Sequence, residues 1–216
     1  GRVTINKLRI ILVDDHAVVR TGYRLLLEND PEIEVIAELE SGEEASQQAR
    51  ELNPDVIVMD LSMPGMGRLE AIRRIKAKNP EIHILVFTMH DNVSFVEHAL
   101  EAGAAGYITK NNAPNVLIEA VHKIAKGETY IEPELKNEMN VQHKLGKGSA
   151  LSNLSHREFQ IFCLFAEGLN ANDIASDLSL SVKTVANYQT QIKEKLAVNS
   201  TTELVKLAIS NGIIQV

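Results

Sequence analysis

Leu8-Arg9-Ile10-Ile11-Leu12-Val13-Asp14-Asp15, a short apolar run that breaks into two aspartates, is the stretch from which the fold is read. Aliphatic residues packed without helical spacing suit a strand buried on both faces, as parallel sheets require. Similar runs recur at Val35 to Leu39, Val56 to Met59, Ile82 to Phe87 and Gly106 to Ile108. Between them lie helical patterns, roughly His16 to Asn29, Gly42 to Leu52, Leu69 to Lys78, Val93 to Ala102 and Pro114 to Lys126. Val18, Leu25 and Leu26 mark the spacing in the first, Leu69, Ile72 and Ile75 in the third. Asn53-Pro54-Asp55 and Asn79-Pro80-Glu81 supply the turns from helix to next strand. Five such repeats predict an α/β fold, a five-stranded doubly wound parallel sheet with helices on both faces.

The unusual polar residues fall at one kind of position. Asp14 and Asp15 follow the first run, Asp60 the third and Thr88 the fourth, while Lys110 comes just past the fifth. These are carboxyl ends of parallel strands, where open α/β sheets build their ligand sites. Three clustered carboxylates repel one another unless a cation joins them, and Mg²⁺ is the hard, oxygen-seeking ion that suits such a set. The ion and Lys110 would screen the charge of an incoming phosphoryl group, leaving Asp60 as in-line nucleophile and Thr88 to donate its hydroxyl to a phosphoryl oxygen.

Beyond Tyr130 the pattern changes. A first domain is expected over 7–130, a polar linker over 131–149 and an all-helical domain over 150–216. Gly146 and Gly148 flank a lysine in the linker, which holds a helical piece from Pro133 to Asn140. Ser155 and Glu158 form a capping-box pattern before Phe159 to Phe165, and Gly168 ends that helix. Asn170 and Asp173 start a short helix, Ser181 and Thr184 open one from Val182 to Leu196, and Thr201 or Thr202 opens the last. The short helix, the turn Ser179-Leu180-Ser181 and the longer helix have helix-turn-helix proportions. Val182, Val185, Ile192 and Leu196 are expected inward, leaving Lys183, Thr184, Asn187, Thr190, Gln191 and Lys195 largely outward. Asn and Gln carry the paired donors and acceptors that read base edges, while Lys and Thr suit phosphates.

Composition narrows the classes without choosing among them. A 44% hydrophobic and 24% charged chain of 216 residues supports a buried core in one or two globular domains. No run of about 18 apolar residues occurs, so no membrane span is expected. Cys163, the sole cysteine, sits in an apolar run and reads as a core thiol of a reducing cytoplasm. The net charge of -7 does not favour nucleic acid, but from Ser149 onward five basic residues face six acidic ones, leaving that part near neutral.

Longer strings complete the reading. Ile11-Leu12-Val13-Asp14-Asp15-His16, Val58 to Met66 with Asp60 as its third residue, and Ala102-Gly103-Ala104-Ala105-Gly106-Tyr107-Ile108-Thr109-Lys110 resemble the flavodoxin-like receiver domain of response regulators. Leu154-Ser155-His156-Arg157-Glu158, Ala166-Glu167-Gly168, Asp173-Ile174-Ala175, Leu180 to Val185 and Lys195-Leu196 resemble the LuxR-type (NarL/FixJ) output domain. The resemblance implies that a sensor histidine kinase phosphorylates Asp60, that Asp14, Asp15 and Asp60 hold Mg²⁺ with the backbone carbonyl at Ser62, and that Thr88 and Tyr107 switch when phosphate arrives. It also implies double-stranded DNA and a phosphorylation-linked homodimer as partners, and no enzymatic activity beyond self-phosphorylation at Asp60 and slow autodephosphorylation. Ser62 and His90 stand where the family tunes phosphoryl lifetime.

Three departures stand out. Arg68 replaces a usual Gly, Ala186 a usual Lys, and Tyr188 a usual His that can still donate to a phosphate. Two other readings compete. A phosphatase of the haloacid dehalogenase type would need a second acid two residues past its nucleophile, where this chain has Ser62. A phosphate sink or protein-binding adaptor would fit Ala186 and the near-neutral second half, and salt-sensitive duplex binding separates it from a transcription regulator.

Overall fold

The computed structural model describes residues 6–61, 68–89, 92–144 and 150–214. The first half alternates β1 (Leu8–Val13), α1 (Ala17–Glu28), β2 (Ile33–Leu39), α2 (Gly42–Leu52), β3 (Val56–Met59), α3 (Arg68–Lys78), β4 (His83–Thr88), α4 (Val93–Ala102), β5 (Gly106–Thr109) and α5 (Ala113–Ala125). The strands form a parallel sheet in the order β2-β1-β3-β4-β5-β6, where β6 is the short Tyr130–Ile131. The sheet is therefore six-stranded, not five-stranded. A two-residue strand carries no periodic signal of its own and exists only because Tyr130 and Ile131 lie beside Gly106 and Tyr107.

Alternation along each strand divides the core. Ile10, Leu12, Val58, Leu85, Phe87 and Ile108 face a layer with Leu27, Leu117, Val121 and Ile124. Ile11, Val13, Ile57, Met59, Val86 and Tyr107 face the other, with Ala45, Ile72, Ile75 and Phe95. The spacing in the first helix misleads about its buried side: Val18 is 86% and Leu25 68% exposed, while Leu27 is fully buried.

Gly106 is required where it stands. A Cβ there would lie 2.9 Å from both Leu85 Cδ1 and the Tyr130 carbonyl oxygen. Gly106→Ala is expected to cost about 1–3 kcal/mol by overpacking, read as a melting temperature lowered by roughly 2–4 °C per kcal/mol. An unchanged melting temperature would mean that β5 and β6 part without cost.

After β6 the polar stretch forms α6 (Pro133–Lys144), longer than the helical piece expected from the sequence. A 3₁₀ turn (Ala150–Asn153) then leads into α7 (His156–Ala166), α8 (Ala171–Leu178), α9 (Val182–Leu196) and α10 (Thr201–Ser210). The expected capping boxes form at Ser155/Glu158 and Asn170/Asp173, and Ser181 caps α9. Helix α10 is capped by Ser200, one residue before the expected threonines. Val185, Ile192 and Leu196 pack inward with Phe159, Phe162 and Leu204, whereas Val182 is exposed. Cys163 is a buried thiol. No described helix is long and apolar enough to cross a membrane.

The second core does not end with the sheet. Phe95 and Ala99 of α4 belong to the same apolar cluster as Leu151 and Phe159, so the helical domain closes over α4.

Candidate functional site

Strand register brings the polar residues together. Val13 pairs with Met59, so Asp14 and Asp60 leave neighbouring strands at the same level. The Asp60 amide donates to the Val13 carbonyl at 3.0 Å, and the Lys110 amide to the Thr88 carbonyl at 2.9 Å. Asp14, Asp60 and Thr88 are buried. One ammonium serves both buried acids: Lys110 Nζ lies 3.0 Å from Asp14 Oδ2 and 2.9 Å from Asp60 Oδ2. Burial works to lower the Lys110 pKa, but hydrogen bonds and charge from Asp60 and Asp14 outweigh it and hold the pKa above the ordinary lysine value.

Asp15 is more open, with its Oδ1 2.9 Å from His16 Nδ1. Asp14, Asp15 and His16 lie close enough to share one ion. Three carboxylates against a single lysine leave excess negative charge at the pocket, and their oxygen donors suit a hard divalent cation. Tyr107 is fully buried in the core cluster beneath α4. Ser62 and His90 lie outside the described residues, as does the side chain of Arg68, whose backbone begins α3.

Two supporting residues escape a reading of strand ends. Glu132 is buried and accepts from the Thr109 amide and from Asn112 Nδ2 at 3.1 Å, anchoring the loop that carries Lys110. The Arg20 guanidinium donates to the Asp14 carbonyl at 2.6 Å. Neither lies in a motif; each is recognised only by what it reaches across the fold.

On α9, Lys183, Asn187, Thr190, Gln191 and Lys195 are exposed, and Thr184 is half-buried. Tyr188 packs partly against the core. Lys195 reaches inward, its Nζ 2.6 Å from Glu158 Oε1. Burial would raise the Glu158 pKa, but the bonds from Lys195 and Ser155 hold it below the ordinary carboxylate value. In this structure the Lys195 charge ties α9 to the cap of α7.

The two domains meet through polar stitches around Phe159. Asn92 Nδ2 donates to the Asn211 carbonyl at 2.6 Å, Ser94 Oγ lies 2.8 Å from Ser152 Oγ, and His98 Nε2 3.0 Å from the Leu151 carbonyl. On α3 the buried Glu70 accepts from Arg157 at 3.2 Å and from Gln160 at 3.1 Å. Phe159 stacks on the His98 ring at a centroid separation of 4.0 Å and meets Phe95 edge-on at 5.6 Å. Burial, together with Arg73 and other nearby groups, pushes the His156 pKa down to about 4. Burial also lowers His98, against the opposing effects of Leu151 and Glu101.

Comparison with known proteins covers both halves. The family described as response regulator receiver domain matches residues 10–122, and the luxR family of bacterial regulatory proteins matches residues 152–208. The transcriptional activator protein ExaE of Pseudomonas putida is 39% identical over 210 residues, spanning 96% of this chain and 98% of that protein. The oxygen regulatory protein NreC of Staphylococcus epidermidis is 40% identical over 217 residues, spanning 96% and 100%. The solved structure of RcsB from Salmonella enterica serovar Typhimurium, bound to promoter rprA with the phosphomimetic BeF₃⁻, superposes with a TM-score of 0.77 at 28% identity, covering 93% of this chain and 98% of that one.

Proposed function

This chain belongs to the response regulators, transcription regulators that join a receiver domain to a LuxR-type DNA-binding helix-turn-helix, and on that premise we propose that Asp60 is the phosphoryl acceptor and that α4 carries the signal to the output domain. The observation that carries the proposal is the shared pair of buried carboxylates. Asp60 and Asp14 leave paired strands side by side and hold the same lysine, in a pocket rich enough in oxygen donors to bind Mg²⁺. Asp14, Asp15 and Asp60, with the backbone carbonyl at Ser62, would hold the ion, whose bound charge offsets that of the carboxylates and of the incoming phosphoryl oxygens.

A sensor histidine kinase is the donor. An Asp60 carboxylate oxygen attacks phosphorus, the P–O bond forms as the P–N bond to the donor imidazole breaks, and Lys110 screens the developing charge. Thr88 then donates its hydroxyl to a phosphoryl oxygen. Slow hydrolysis of the acyl phosphate then returns the carboxylate. Helix α4 begins five residues after Thr88, the last residue of β4, covers Tyr107 and supports Phe159, so a movement near Thr88 acts directly on the helix that holds the output domain.

The output helix α9 enters the major groove of double-stranded DNA, with Asn187 and Gln191 at base edges and Lys183, Thr184 and Thr190 at phosphates. Tyr188 and Lys195 contribute once their inward contacts loosen. A near-neutral domain with Ala186 on the exposed face binds weakly alone, so a phosphorylation-linked homodimer supplies the affinity. The test is salt-dependent binding to duplex DNA with and without acetyl phosphate. Lys183→Ala is expected to weaken binding alike on all sequences and to reduce the slope of log K against log salt by about 0.9. Salt-insensitive or undetectable binding of the phosphorylated native chain would point to an adaptor instead.

A further inference from the structure

At the junction of the domains a second group of ligating side chains stands apart from the aspartate pocket. His98, Glu101 and His156 each present a donor atom within 4.8 Å of the other two. His98 and Glu101 lie one turn apart on α4, and His156 is the first residue of α7.

Hydrogen bonding orients the first ring. His98 Nε2 faces the Leu151 carbonyl at 3.0 Å, and a carbonyl only accepts, so Nε2 carries the proton of the neutral ring. Nδ1 is then a bare lone pair. It is buried without a hydrogen-bond partner and faces Glu101 Oε2 at 3.7 Å, a lone pair turned toward a carboxylate. Both ring nitrogens of His156 are likewise buried without a hydrogen-bond partner. Two unpartnered imidazole nitrogens, one from each ring, gathered at one carboxylate are costly as they stand. A cation among them would convert the cost into bonds.

We infer that His98, Glu101 and His156 form a binding site for a divalent transition-metal ion of the zinc class, which on binding ties the output domain to α4. Imidazole nitrogens with one carboxylate suit Zn²⁺ and its neighbours rather than Mg²⁺ or Ca²⁺. The bond from His98 Nε2 to a backbone carbonyl is the outer contact that metal-bound histidines commonly make, fixing the tautomer that leaves Nδ1 to ligate. Three protein ligands leave a fourth position for water. Arg73 and Arg157 stand near and oppose a cation, but both are paired with Glu70, at 3.7 and 3.2 Å. Because the ligands come from both domains, the ion binds the docked arrangement and not a separated one. By linkage it opposes any phosphorylation step that moves α4 away from α7.

The test is titration of the chelator-treated full chain with Co²⁺ in excess Mg²⁺, followed by visible absorption and by displacement with Zn²⁺. One ion per chain with the intense band of tetrahedral Co²⁺ is expected, retained in Asp60→Asn and lost in His156→Ala. Glu101→Gln, at a largely exposed position, is expected to keep the fold and to weaken affinity about tenfold or more, the scale of a lost metal-site contact. Zn²⁺ should raise the melting temperature of the native chain and not that of His156→Ala. No saturable band, a band that survives His156→Ala, or one that disappears in Asp60→Asn would overturn the assignment.

Discussion

Asp60→Asn is expected to take up no phosphoryl group from acetyl phosphate and Mg²⁺ and to melt close to the native temperature. The amide has the shape of the carboxylate but no nucleophilic oxyanion, so the bond to phosphorus cannot form. Fold stability is spared because the amide oxygen still accepts from Lys110, which keeps Asp14 at 3.0 Å as its ion-pair partner. Removing one of two buried like charges also relieves repulsion, so a change within about 1 kcal/mol is expected. Intact-mass spectrometry reads the first outcome and thermal unfolding the second. Equal phosphoryl gain in native and Asp60→Asn chains would put the acceptor elsewhere and remove the basis for the proposed switch.

The second large effect belongs to the junction between domains. Arg157→Ala is expected to loosen docking of the output domain on the receiver without phosphate. Glu70 is a buried carboxylate that accepts from Arg157 and Gln160 of α7 and from Arg74 of its own helix. Burial alone would raise its pKa, but these donors hold it below the ordinary value, so it is ionised at neutral pH and needs them. A hydrogen bond to a charged group contributes about 1.5–3 kcal/mol, which corresponds to a docking equilibrium shifted by roughly ten- to a hundredfold. Hydrogen exchange should rise along α4 and the start of α7 while the sheet strands stay protected. Unchanged exchange in α4 would show that Phe95, His98 and Phe159 hold the domains together without the ion pair.

These predictions differ in how far they were legible in the residues. Asp60 could be found from the sequence because an apolar run ending in aspartate says both that a strand is present and where it ends. Strand ends in a parallel sheet gather at one edge whatever the loops do. Helix caps were similarly local: Ser155 with Glu158, and Asn170 with Asp173, satisfy amide groups within a single turn and form as expected. Glu70 and Glu132 could not be found that way. Each looks like an ordinary surface acid until partners far along the chain, Gln160 for one and Asn112 for the other, enclose it.

Helices show the same division. The apolar spacing in α1 identified a helix correctly but not its buried side, since Val18 and Leu25 face outward and Leu27 inward. Helix α4 is the opposite case: Val93, Phe95, Val96, His98 and Ala99 are all buried, because sheet and output domain cover different sides of it. The alternation of strands and helices, the carboxylate pocket and the helix-turn-helix are written along the chain, because each depends on short-range pattern or on the geometry common to parallel sheets. The sixth strand, the charges buried at the domain junction and the histidines gathered beside α4 emerge only when the chain has folded. Those depend on which surfaces meet, and contacts between distant segments leave no period in the chain to read.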